Sequence, residues 1–73
     1  MEPPRKFNTR IGSKIRKIRE EKQLKQEWLA KKVSLNKSEI SRIETGKRRI
    51  TLEKVYAIAD ALSISPSSLF EAD

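Results

Sequence analysis

The chain contains no cysteine and no histidine. The first absence excludes disulfides, thiolate metal sites and thiol nucleophiles; the second excludes imidazole acid–base chemistry. Glycine is almost missing too, with 2 in 73 residues, and neither a glycine-rich phosphate loop nor a nucleophile elbow occurs. Enzymatic activity is therefore not expected, and no catalytic residue, metal ligand or cofactor site is assigned. No apolar stretch is long enough to span a membrane, and the first residues lack the apolar segment of a secretory signal. The expectation is a cytoplasmic protein with no membrane partner.

What is abundant is positive charge. Lysine and arginine number 17 against 10 acidic residues, a net charge of +7. Residues 1–25 carry nine basic and three acidic side chains, residues 26–50 seven and three, and residues 51–73 one and four. A basic first two-thirds and an acidic end imply a polyanion-facing side and a different opposite side. A basic helix lying on a membrane is the rival, but it needs a large exposed apolar face, and the apolar residues here are needed for a core. Seventy-three residues make one small domain near the size where a single core barely suffices, so support from a second subunit is physically reasonable.

Met1–Asn8 holds two prolines and no periodicity. It is expected to be a flexible basic arm, with residues 9–73 as the folded domain. Arg5, Lys6 and Arg10 can lie along phosphates or reach a minor groove, and a merely solubilising tail is equally compatible. Ile11, Ile15 and Ile18 recur at i, i+4 and i+7, which predicts a helix from about Thr9 to Lys22, capped by Asn8 or Thr9 and closed by Leu24.

A second helix is predicted over Gln26–Lys32, with Leu29, Ala30 and Val33 inward. Trp28 is expected in the core, with a partly exposed ring against the arm or a partner as the alternative. Lys25 stands at the N-cap, where a cation opposes the helix dipole; a nearby phosphate would make sense of it. After Gly46, a left-handed helix terminator, Lys47, Arg48 and Arg49 form either a phosphate clamp or a solvated loop. Another helix is predicted from Thr51 through Leu62, with Leu52, Val55, Ile58, Ala59 and Leu62 in register. Ser65 then caps a last short helix with Pro66 at its first position. Leu69 and Phe70 close the core or leave a patch for a second copy.

The chain is organised around Gln26–Glu44. Two short helices, Gln26–Lys32 and Lys37–Glu44, are joined by Val33, Ser34, Leu35 and Asn36, the layout of a helix-turn-helix whose second helix can enter a DNA major groove. Asn36 and Glu39 make a capping box at the start of that second helix. At 100° per residue Ile40 and Ile43 face one side, while Lys37, Ser38, Ser41, Arg42 and Thr45 fall within about 140° on the other. This outward arc has donors and two cations and no acid, which suits phosphates and the acceptor edge of guanine. Taken alone it is also the solvated face of an ordinary amphipathic helix.

From Ile11 to Phe70 the chain resembles the Cro/phage-repressor helix-turn-helix family of bacterial and phage regulators. The matching pieces are Ile11-Gly12, Ile15-Arg16, Ile18-Arg19, Gln26-Glu27, Leu29-Ala30, Ile40-Ser41-Arg42-Ile43-Glu44, Gly46-Lys47-Arg48, Ala59, Ala61-Leu62 and Leu69-Phe70. The resemblance implies an all-α, compact five-helix lambda-repressor-like DNA-binding domain. It places Lys37, Ser38 and Arg42 at base-reading positions, with Ser41 as a supplement. Gln26 falls at a phosphate-binding and buttressing position, Thr45, Lys47 and Arg48 at backbone-contact positions, and Arg19 with Glu44 at a structural ion pair. Gln23, Ser34 and Ser63 stand where the family commonly has glycine, each costing roughly 1 kcal/mol if left-handed. Glu39 is unusual near DNA and either serves only the capping box or accepts from cytosine N4. Ile50-Thr51, with the chain's brevity, resembles the controller proteins of restriction–modification systems.

The expected function is a sequence-specific, double-stranded-DNA-binding transcriptional regulator, a homodimer through its C-terminal helices with no small-molecule effector. Phosphate contacts are expected at Lys25, Gln26, Thr45, Lys47, Arg48 and Arg49. The alternative is an antitoxin or adaptor whose acidic, apolar end holds a partner protein, with DNA binding secondary.

Overall fold

The computed structural model describes residues 4–71, with side chains from Asn8 onward. Within them the elements are α1 (Pro4–Glu21), α2 (Gln26–Lys32), α3 (Lys37–Glu44), α4 (Leu52–Ala61) and a 3-10 turn, Pro66–Leu69. The boundaries of α2 and α3 match the sequence reading. α1 does not: it begins at Pro4, and residues 4–8, expected as an arm, are helical. Proline suits a first helical turn because its φ is preset and its missing N–H would have no partner there. Asn8, expected as a cap, lies buried inside α1. The remainder of the expected arm, Met1–Pro3, lies outside the described residues.

All four α-helices end in one way. The residue after the C-cap is left-handed at Gln23, Ser34 and Ser63 (φ 59° each) and at Gly46 (φ 76°). The next N–H then reaches back to close the helix: Leu24 to Arg19 O (3.0 Å), Leu35 to Ala30 O (2.9 Å), Lys47 to Arg42 O (2.8 Å) and Ile64 to Ala59 O (2.9 Å). In three cases the residue that reaches back is apolar and packs on the core, the contact that accompanies this motif. That contact offsets the left-handed cost at the three non-glycine positions. The chain changes direction after each helix, and the helices gather around one core.

The core gathers Ile11 and Ile15 from α1, Leu29, Ala30 and Val33 from α2 and its cap, and Ile40 and Ile43 from α3. Ile50, Val55, Ile58, Ala59, Leu62 and Leu69 complete it. α3 packs on both α1 and α2, while α4 supports α2 and carries the 3-10 turn. Ile18, Leu24 and Trp28 are only partly buried against this cluster. Leu52, expected inside, is 60% exposed; of the two residues expected to close the core or leave a patch, Leu69 is buried and Phe70 is 48% exposed. Leu52 is the first residue of α4, where the helix has only just reached the core.

The expected five-helix architecture is corrected to four α-helices among the described residues, because the last short helix does not form as an α-helix. Pro66–Leu69 is a single 3-10 turn, and Ser65 gives it no side-chain cap; its hydroxyl instead pairs with that of Ser67 at 2.9 Å. Four residues cannot form a stable α-helical run, and the tighter i→i+3 bond is the usual outcome. Among the described residues no helix is long and apolar enough to cross a membrane.

Candidate nucleic-acid interface

The outward face of α3 is held from both ends by carboxylates. At the C-terminal end Glu44 is buried with its side chain 1% exposed. It accepts from Arg19 Nε at 2.7 Å and Nη2 at 3.1 Å, and from Gln26 Nε2 at 3.0 Å. Arg19 Nη1 also donates to Leu24 O at 2.6 Å. One carboxylate thus ties α1, the α1–α2 turn and the start of α2 to the end of α3. The hydrogen bonds to Glu44 raise the Arg19 pKa above its ordinary value, against the opposing effect of burial. The paired guanidinium therefore stays charged at any working pH.

The other end carries the expected capping box. Asn36 Oδ1 accepts from the Glu39 N–H at 2.8 Å, and Glu39 Oε1 accepts from the Asn36 N–H at 3.0 Å. The second oxygen of Glu39 pairs with Arg48 Nη1, which the sequence did not suggest. Nearby, Lys54 Nζ on α4 donates to Val33 O at 2.8 Å, closing the carbonyl end of α2. The hydrogen bond from Arg48, then that from Asn36, holds the Glu39 pKa below the ordinary glutamate value, and the charge of Lys54 adds to this.

α1 and α3 approach so closely that a side chain at either glycine would force them to shift. A Cβ on Gly12 would stand 2.0 Å from Ile43 O. One on Gly46 would stand 2.4 Å from Thr9 Oγ1, in a backbone already left-handed. Both contacts sit where α3 ends, so glycine sets the depth at which α3 lies on α1.

The expected site residues fall into two groups. Lys37, Ser38, Arg42, Lys25, Lys47 and Arg49 are exposed, and among the described residues their side chains make no hydrogen bond or ion pair. Ser41 is half-buried beside them on the same face. The second group is engaged within the protein. Gln26 is tied to Glu44, Arg48 to Glu39, and Thr45 Oγ1 donates back to Ser41 O at 3.0 Å. Arg19 and Glu44 form the buried pair that the family resemblance implied. Lys25, Gln26 and Lys37 also share an open groove of about 550 Å³ with Arg16, Arg19, Gln23, Leu24 and Glu27.

Residues 15–69 match the sequence model of a family described as helix-turn-helix. This chain belongs to the helix-turn-helix family. Its similar relatives include the control protein C.MunI of Mycoplasma sp, 40% identical over 62 residues covering 84% of either chain. Among solved structures it is similar to the restriction-modification controller protein C.AhdI from Aeromonas hydrophila. That match has a TM-score of 0.88 and 32% identity, over 94% of this chain and 100% of that one. The controller protein C.Esp1396I, solved as a tetramer on its natural 35-base-pair operator, matches with a TM-score of 0.78. It is 34% identical over 88% of this chain and 84% of that one.

In this helix-turn-helix chain the sequence reading missed three interactions. The Glu39–Arg48 pair spans nine residues and the Lys54–Val33 bond spans 21; neither follows a helical or turn period, so no local pattern announces them. The Gly12 contact did leave a signal. A glycine inside an isoleucine stripe costs a helix about 1 kcal/mol relative to alanine, which only a close approach explains.

Proposed function

We propose that the chain is a sequence-specific, double-stranded-DNA-binding transcriptional regulator of the controller type, acting as a homodimer. The observation that carries this reading is the face of α3. Lys37, Ser38 and Arg42 stand free on a helix whose other sides are fixed by Ile40, Ile43 and the Glu44 network. Side chains on so rigid a helix can present donors to base edges with little reorganisation. Lys37 and Arg42 suit the O6 and N7 acceptors of guanine, and Ser38 and Ser41 suit either donor or acceptor edges. Lys25, Lys47 and Arg49 are the phosphate contacts best placed to act without first breaking an internal bond. Gln26 and Thr45 contribute mainly by fixing the C-terminal end of α3.

The test pairs two substitutions on a duplex selected by the protein from random sequences. Arg42→Ala should relax preference at one base position and cost roughly 1–3 kcal/mol, whereas Arg49→Ala should weaken all sequences alike and lower the salt slope by about 0.9. Equal losses on selected and random DNA for both variants would remove Arg42 from base readout.

Self-association is assigned to the acidic C-terminal third. Leu52 and Tyr56, four residues apart on α4, are 60% and 54% exposed, and Phe70 follows at 48%. A small domain that leaves three large apolar side chains of its acidic C-terminal third exposed gains by covering them with a second copy. Two recognition helices related by a two-fold axis would then enter half-sites about 34 Å apart. Tyr56→Asp should yield a monomer by sedimentation and bind a two-half-site duplex roughly 10²-fold less tightly, with single half-site binding unchanged. A Tyr56→Asp protein that remained dimeric would move the interface elsewhere.

A further inference from the structure

Arg48 lies in a basic run that invites reading as three equivalent phosphate contacts, yet it differs from its neighbours. Lys47 and Arg49 are exposed and unbonded among the described side chains. Arg48 is anchored to the end of α3 through its N–H to Arg42 O at 3.2 Å, and its side chain runs back along the helix to Glu39 in the first turn. Glu39 in turn is used on both oxygens, one by Arg48 and one by the Asn36 N–H. Reading a cytosine N4 needs an acceptor aimed outward from the helix, and both oxygens of this carboxylate are turned back on the protein.

We propose that Glu39 is a specificity-determining residue that acts through Arg48, withholding one cation from the DNA phosphates and so restraining sequence-independent binding. The proposal rests on the reading of α3 as the DNA-contacting helix. Sequence-independent affinity grows with the number of phosphates neutralised, because each releases condensed counterions. A paired arginine and glutamate carry no net charge and release none. Base contacts by Lys37 and Arg42 are untouched by the pairing, so the ratio of specific to non-specific binding rises. The depressed Glu39 pKa agrees with a carboxylate that remains charged and paired at neutral pH.

Glu39→Gln separates the two jobs of this side chain. Glutamine still accepts from the Asn36 N–H in a capping box but cannot form the ion pair. Wild type, E39Q and the double variant E39Q/R48A are compared by salt titration on a wild-type-selected duplex and on a random-sequence duplex. E39Q should bind the random duplex several-fold more tightly near physiological salt and steepen its log–log salt slope by about 0.9, with base preferences unchanged. The double variant should return to the wild-type slope, and E39Q combined with Arg48→Gln should do the same.

Four results overturn the proposal. In the first, E39Q changes preference at one base pair with no change in slope, which makes Glu39 a base reader. In the second, the double variant is shallower than wild type by about 0.9, which means Arg48 already sits on a phosphate. In the third, E39Q alters neither slope nor affinity. In the fourth, wild type enriches no duplex at all, so the DNA reading fails and this proposal falls with it. The pair is still visible in that case, because the Glu39 carboxyl of the free protein should titrate below the ordinary glutamate range and rise toward it in R48A, where the Asn36 N–H still holds it down.

Discussion

Glu44→Ala is expected to cost about 3–5 kcal/mol, enough to leave the domain only marginally stable or partly unfolded. The carboxylate is 1% exposed and receives two bonds from Arg19 and one from Gln26. Its removal leaves a guanidinium that is 9% exposed with only the Leu24 carbonyl as acceptor. An unpaired buried charge is costlier than the pair is stabilising, since desolvation has been incurred and its compensation lost. Small domains have only about 5–15 kcal/mol in total, and one of this size belongs toward the low end. Thermal or urea denaturation followed by circular dichroism measures the loss directly.

Two comparisons separate burial from charge as the cause. Arg16 and Glu20 form an ion pair at 3.3 Å, but both are more than half exposed. Breaking that one should change stability by no more than about 0.5 kcal/mol. Replacing the buried pair with Arg19→Met and Glu44→Leu together should restore most of the stability, because two apolar side chains fill the space without a stranded charge. DNA affinity should not recover in step. Gln26 then has no carboxylate to donate to, and the link from α2 to the end of α3 is gone. A double variant with wild-type stability and wild-type affinity would show that the network contributes nothing to orienting the recognition helix.

The parts of this fold that were legible in the sequence are those governed by neighbours in the chain. The capping box was readable because Asn36 and Glu39 sit three residues apart at a helix start, and both of its hydrogen bonds form. The ends of α2 and α3 and the left-handed Gly46 follow from equally local rules, whereas the left-handed Gln23, Ser34 and Ser63 were indicated only by the glycines that the family commonly has there. Pro4 is ambiguous by those same rules, since proline both interrupts a helix and favours its first turn. Leu52 shows a different limit: periodicity says which face a residue is on, but not where along the helix the core begins. At the site, the exposed cations were legible as a set, but the internal partner of Arg48 was not. Charges nine residues apart meet only because the chain reverses after Gly46.

Gly12→Ala is the second large effect expected, and its sign runs against helix propensity. Alanine inside a helix should gain about 1 kcal/mol over glycine, and α1 extends well beyond Gly12 on both sides. The added methyl would, however, meet Ile43 O at 2.0 Å and Glu44 C at 3.0 Å. These are backbone atoms of the recognition helix, which cannot rotate aside as a side chain would, so α1 and α3 must separate by an ångström or more. Overpacking of this kind costs roughly 1–3 kcal/mol and occasionally more, and a backbone clash belongs at the upper end. The net loss should be about 2 kcal/mol or greater, with Gly12→Val worse than Gly12→Ala because its two γ-methyls add bulk to the same Cβ clash and a β-branched residue disfavours the helix. The same movement pulls Glu44 away from Arg19, so operator affinity should fall by more than the folded fraction alone explains. Affinity measured at a temperature where the variant is fully folded makes that distinction. A Gly12→Ala protein that melted above wild type would show that α1 and α3 can part without cost, and that this glycine does not set the seating of the recognition helix.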